Sequence, residues 1–263
     1  MADQLLTSVR NALRVLKAFR HAERELGVSE LARELGLGKS TVHRLAKTLA
    51  AEGFLRQDPA TGRYRPGLVL AELGAAVTLN TDFHAAAIGP LEELWKLTGE
   101  TVQIAHLDGR EVVYVERIES SHTLRLFNEV GRRNWAHCTG TGKALLAHLP
   151  PDELDAILDG WELPALTPYT IVDHDRLRAD LAEVRERGYA QNVNESNIGI
   201  ASVGAPIRDF DGSVIAAISA AGPTLRLKRT SLEGHAGAVM AAAEAISRNL
   251  GWRPARLVGG RTR

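Results

Sequence analysis

The sequence predicts an α+β chain in two unequal parts: a small helical head with a basic surface, and a larger body that mixes strands and helices. Three observations predict it. In the first fifty positions apolar residues recur every three or four places and are interrupted at glycines. After residue 100 the pattern changes to alternation around two Asp-Gly pairs, Asp108-Gly109 and Asp211-Gly212, which signal hairpins. Charge is shared unevenly. The 263 residues carry 32 Lys/Arg and 32 Asp/Glu, yet residues 37–65 hold six basic side chains (Lys39, Arg44, Lys47, Arg56, Arg63, Arg65) against two acidic ones (Glu52, Asp58).

Taken in order, Val9, Leu13, Leu16 and Phe19 define a helix over 8–22. Ser29 is the expected cap of a second helix, whose Leu31, Ala32 and Leu35 face inward and which stops at Gly36. Lys39 opens a third helix that runs to about Glu52 and ends at Gly53. A hairpin follows, Phe54–Gln57 and Arg63–Arg65 around Asp58-Pro-Ala-Thr-Gly62. Residues 67–80 read as a connecting helix and 82–99 as an amphipathic one. Strands are expected at 101–106, 111–118, 123–127, 202–207 and 213–220, and helices at 141–149, 151–158, 175–187 and 232–250. The domains are therefore 5–67, with a helix-turn-helix at 28–47 and a wing at 54–66, then a connector at 68–81 and a body at 82–254.

Composition excludes some classes. A hydrophobic share of 44% and a charged share of 24% suit a globular core. No run approaches the ~20 apolar residues of a membrane span, and Met1-Ala-Asp-Gln4 does not open a secretion signal. A single cysteine, Cys138, fits a reducing cytoplasm.

The third helix carries the functional reading. At about 100° per residue Val42, Leu45, Ala46 and Leu49 fall on one side, and Ser40, Thr41, His43, Arg44 and Lys47 on the other. One face packs and the other is free to meet a groove. Short hydroxyls at the helix start suit phosphate or base edges. Arg44 suits a guanine edge and Lys47 a phosphate. Lys39, Arg63 and Arg65 complete the expected DNA-binding set, the last two from the wing. The competing reading is a helical hairpin with a solvated polar face. The basic hairpin that follows weighs against it.

Here a family resemblance becomes specific. Val28-Ser-Glu-Leu-Ala-Arg-Glu-Leu-Gly-Leu-Gly-Lys-Ser-Thr-Val-His-Arg-Leu-Ala-Lys47 resembles the helix-turn-helix of the IclR family of bacterial regulators. Gly131-Arg-Arg-Asn-Trp-Ala-His-Cys-Thr-Gly-Thr-Gly-Lys-Ala-Leu-Leu146 is similar to its central signature. Gly188-Tyr189, Glu195, Gly199, Ala205-Pro-Ile207, Asp211-Gly212 and Ser219-Ala-Ala-Gly-Pro223 are similar to its C-terminal one. The resemblance implies a winged helix-turn-helix joined by a helix to a GAF-like α/β effector domain with an antiparallel sheet. It also implies a regulator, more often a repressor, that acts on double-stranded operator DNA as a homodimer or homotetramer. Residues 8–22 and 67–80 are the candidate dimer surfaces.

In the body, Gly140-Thr-Gly-Lys143 opens a helix whose backbone N–H groups are candidates to hold a carboxylate, with Leu126 and Trp135 as apolar walls. The resemblance carries over Gly140, Thr141, Asn192, Ser202 and Ser219 as effector-binding positions, with Leu126 and Asn134 on the wall. Asn192 stands where a carboxylate often occurs and Ala221 where a second serine occurs, so a different ligand is expected. Gly140–Lys143 lacks the phosphate-loop spacing, since His137 stands at its first glycine. His106, His122, His137 and Cys138 lack the paired spacings of a metal site. No cofactor, metal or catalytic residue is expected. The alternative is an enzyme or a stand-alone binding protein with a structural head.

Overall fold

The first helix, α1 (Thr7–Ala18), buries Val15 and leaves Leu6, Val9 and Leu13 exposed. The computed structural model describes residues 6–19, 25–78, 81–126 and 130–253, which divide into units at 1–80 and 81–263. Helix α2 (Val28–Leu35) is capped differently from the sequence expectation. The N-cap is Gly27, whose N–H donates to Glu30 Oε2 at 2.9 Å, and Ser29 lies inside the first turn. A glutamate three places into the helix reaches back to the free donor, so no hydroxyl is needed there. Gly36 ends α2 at φ 65°, a left-handed conformation that favours glycine. Helix α1 ends short of the expected 22, and residues 20–24 lie outside the described set.

Helix α3 (Lys39–Ala51) buries Val42, Ala46 and Leu49. The wing follows as β1 (Leu55–Gln57) and β2 (Tyr64–Pro66), antiparallel, with Arg56 opposite Arg65. Its turn is held by Asp58 Oδ1, which accepts from the N–H groups of Ala60 and Thr61 at 2.7 and 2.9 Å. Those bonds hold the Asp58 carboxyl below its usual range. Tyr64, fully buried, exchanges backbone hydrogen bonds with Leu26 at 2.9 Å each way and so fastens the wing to the segment before α2. At the base of the wing a Cβ on Gly67 would sit 2.0 Å from the Gly53 carbonyl oxygen, so only glycine allows this crossing. Helix α4 (Leu68–Thr78) comes next.

The second unit is built on a six-stranded antiparallel sheet, β5-β4-β3-β8-β7-β6. Its strands are β3 (Thr101–Asp108), β4 (Glu111–Ile118), β5 (Arg133–Trp135), β6 (Ala190–Val193), β7 (Ile200–Arg208) and β8 (Val214–Pro223). Helices α5 (Thr81–Thr98) and α9 (Arg229–Asn249) cover one face, and α6 (Gly140–Leu146), α7 (Pro151–Leu158) and α8 (His174–Arg187) cover the other. The pleat sorts the residues. Val102, Ile104, Val203, Ile218 and Ala220 pack toward α5 and α9, while Ala105, Tyr114 and Ala217 pack toward α6 and α8.

The expected strand at 123–127 is absent through Leu126, and Phe127 lies outside the described residues. The carbonyls of this segment are taken by side chains instead: Arg226 donates to Leu124 O at 3.0 Å and Arg117 to Leu126 O at 2.6 Å. The strands that do flank the sheet, β5 and β6, were not expected. Three or four residues carry too little alternation to register as a period. Ion pairs of Arg133 with Asp108 and with Glu111 (3.1 Å) hold β5 in place.

Candidate functional site

On α3 the side chains divide as the helical angles require. Val42 and Ala46 are fully buried, whereas Lys39, Ser40, Thr41, His43, Arg44 and Lys47 are exposed along one face. The Thr48 hydroxyl bonds back to the Arg44 carbonyl at 3.0 Å and is directed along the helix, while none of the six is committed to the core. Uncommitted side chains on a helix whose back is packed can enter a major groove.

The wing corrects one expectation. Arg63 does not offer its charge outward. Its guanidinium donates twice to the Glu25 carbonyl (3.1 and 2.9 Å) and pairs with Glu30 at 2.5 Å, so it ties the wing to the start of α2. Arg65 remains exposed, with Glu25 no closer than 4.0 Å. Its cross-strand partner Arg56, also exposed, forms a basic pair with it, and Arg56 is the member that sequence reasoning left out. Like charges placed directly opposite repel and so favour an anion between them. The expected turn at 58–62 would have set position 56 opposite 64, and only the observed register places it opposite 65.

In the second unit, a cavity of about 40 Å³ opens on the α6 side of the sheet. Six of the seven expected effector positions, Leu126, Asn134, Thr141, Asn192, Ser202 and Ser219, line it. The seventh, Gly140, lies behind the lining and donates its N–H to Ser202 Oγ at 3.3 Å, and a Cβ there would crowd Ser202 Oγ and Gly204 N at 3.0 and 3.1 Å. Trp135 is not a wall; it packs at a tilt against Trp161, with ring centroids 6.0 Å apart. Gln103 and Tyr114 line the cavity and were missed. The signal for Gln103 was present, a polar residue at an alternating position between Val102 and Ile104.

Sheet register assembles this lining. Asn192, Ser202 and Ala221 are successive partners across β6, β7 and β8, and Gln103 is the partner of Ser219 across β3 and β8. The lining is polar but uncharged. Burial pushes the Tyr114 phenol up, so it stays protonated. Among the described residues, two buried oxygens in the cavity, Gln103 Oε1 and Ser219 Oγ, have no hydrogen-bond partner. Each such atom costs about 1–3 kcal/mol unless something enters to bond it.

The expected carboxylate cradle at the start of α6 is mostly occupied from within. Besides Gly140, the Gly142 N–H is taken by Thr139 Oγ1 at 3.1 Å and the Lys143 N–H by the Thr139 carbonyl at 2.9 Å. Lys143 is itself almost fully buried and pairs with Glu195 at 2.8 Å and Asp180 at 3.1 Å. Burial raises the Glu195 carboxyl while the Lys143 charge pulls it back. Glu195 donates its backbone N–H to Asn192 Oδ1 (2.8 Å), and Asn192 Nδ2 donates to Ser196 Oγ (3.1 Å). Asn192 thus shapes the cavity's 194–199 rim as well as lining it. His137 donates from Nε2 to Pro164 O (3.1 Å), and burial pushes the Cys138 thiol up to about 12, so neither is poised for chemistry. Among the described residues no three metal-ligating side chains gather.

Residues 8–59 match the IclR helix-turn-helix domain, and residues 75–248 match the C-terminal domain of bacterial IclR transcriptional regulators. The chain is 37% identical over 248 residues to the HTH-type transcriptional regulator XynR of Escherichia coli K12, which covers 94% of this chain and 98% of that protein. It is 37% identical over 224 residues to the HTH-type transcriptional repressor AllR of the same organism, covering 85% of this chain and 83% of that protein. An IclR homologue from Microbacterium hydrocarbonoxydans, solved in complex with 4-hydroxybenzoate, superposes with a TM-score of 0.82 at 27% identity over 93% of this chain and 99% of that one. These relatives are named as regulators, not enzymes. With both halves matched in order and the identity sustained along almost the whole length, the chain belongs to the IclR family of bacterial transcriptional regulators.

Proposed function

We propose that the chain is a cytoplasmic repressor that binds operator DNA as a homodimer or homotetramer and is controlled by a small organic acid. Residues 5–67 are the DNA-binding domain, 68–81 the connector and 82–254 the effector-binding and oligomerising body. The observation that carries the DNA half is the uncommitted face of α3, from Lys39 to Lys47, set over a fully buried Val42 and Ala46. Arg44 reads a base edge, while Lys47 and the Arg56/Arg65 pair of the wing neutralise phosphates. The name of AllR supports repression, and the 4-hydroxybenzoate complex supports an organic acid as the effector class. Two copies are needed because a single recognition helix reads only a half-site.

The test is a gel shift on the chain's own upstream DNA, run with and without candidate acids. An effector that matters changes operator affinity by about 5–150-fold, a coupling of about 1–3 kcal/mol. No retarded band on that DNA at low salt would remove the regulator reading, and unchanged affinity with every acid that binds the body would remove the control.

A further inference from the structure

We infer that Gln103 and Ser219 together read a hydroxyl group on the effector, which makes the preferred ligand a hydroxylated small acid rather than its keto counterpart. This rests on the effector cavity proposed above and assigns one of its contacts.

The two side chains are cross-strand partners on β3 and β8 and face the same cavity. Both are almost fully buried, Gln103 at 3% and Ser219 at 1% exposure. Gln103 Oε1 and Ser219 Oγ each lack a partner, so the two do not bond each other. The carboxamide oxygen can only accept. The serine hydroxyl can donate. A ligand hydroxyl placed between them donates its proton to Gln103 Oε1 and accepts one from Ser219, which satisfies both at once. With the carboxamide held so that Oε1 faces the ligand, a keto oxygen accepts from Ser219 and leaves Gln103 Oε1 without a donor. A methylene satisfies neither. Discrimination by unpaired buried polar groups is steep, because the wrong ligand leaves the site's own atoms stranded.

The experiment titrates the full-length protein calorimetrically with matched pairs, glycolate against glyoxylate and lactate against pyruvate, together with glycerate and propane-1,2-diol. The hydroxy acid is expected to bind about tenfold or more tightly than its keto partner. In Gln103→Met the ratio falls to near one. That variant replaces a stranded polar group with an apolar one of similar length, so its melting temperature without ligand is expected to stay level or rise, which separates recognition from misfolding. Ser219→Ala is the second variant and lowers affinity for both members of each pair. A keto acid that binds as well as its hydroxy partner, a ratio unchanged in Gln103→Met, or no binding by any hydroxylated compound at millimolar concentration overturns the inference. Each of those results leaves operator binding by the ligand-free protein to be judged separately. Binding of the diol as tight as that of glycerate would support the hydroxyl contact and overturn the organic-acid reading.

Discussion

The face of α3 and the cavity behind α6 use the same residue types under opposite physics. On α3, Ser40 and Thr41 stand in water beside Lys39, Arg44 and Lys47. In the cavity, Thr141, Ser202 and Ser219 stand out of water with no charge among the lining residues. On the function proposed above, the outer surface meets a polyanion, so its strength would come from Coulomb attraction and counterion release and fall as salt rises. The inner surface would meet a small molecule through hydrogen bonds in a low-dielectric setting. Charge would then confer affinity on the one, and unpaired neutral groups selectivity on the other.

The sharpest break in that comparison is at Lys143, where charge is buried after all. Lys143→Met leaves Glu195 and Asp180 without their cation. Removing one partner of a buried pair costs about 3–5 kcal/mol, which lowers melting by on the order of 10 °C in a unit of this size. Thermal unfolding checks it, and Glu195→Gln with Lys143→Met should recover part of the loss. A melting point within a degree of the parent would show that the ion cluster does not hold α6 to the cavity rim.

On the outer surface, Arg44→Ala is expected to cost about 1–3 kcal/mol on the true operator and to relax sequence preference, whereas Lys47→Ala weakens all DNA alike and reduces the salt slope by about 1. Binding isotherms on operator and scrambled DNA across a salt series distinguish the two. Equal behaviour by both variants would place the recognition face elsewhere on the head.

The wing allows a smaller, cleaner separation. Arg63→Ala should lower head stability by about 1 kcal/mol, since a partly exposed ion pair and its carbonyl bonds are lost. Arg56→Ala and Arg65→Ala should leave melting unchanged and weaken DNA binding. The reverse pattern would mean that Arg63 is the wing's phosphate contact.

The smallest effect is with pH. Burial lowers His148 below its usual value of 6.5. The folded imidazole therefore resists a proton that the unfolded chain accepts, and its contribution is full above pH 6.5 and drains as pH falls through it. Melting followed from about pH 7.5 to 5.5 should fall less steeply in His148→Gln than in the parent. Taking the difference between the two proteins cancels Glu195, whose raised carboxyl acts in the opposite direction.

By itself the sequence determined the head and the alternation of the body, because both are local. Helical spacing, Gly36, Gly53 and the 58–62 turn act within a few residues of the atoms they place, and the polar side of α3 follows from 3.6 residues per turn. Short edge strands escaped it. β5 and β6 exist because β4 and β7 offer them unpaired backbone, and that offer is not written in residues 133–135 or 190–193. The same reason separates the site residues. Resemblance supplied six lining positions, but the employment of Arg63 by Glu25 and Glu30, the pairing of Arg56 with Arg65 and the meeting of Gln103 with Ser219 across 116 positions of chain were decided only when strands came into register. Backbone hydrogen bonding between distant segments chooses which side chains become neighbours, and no short-range pattern encodes that choice.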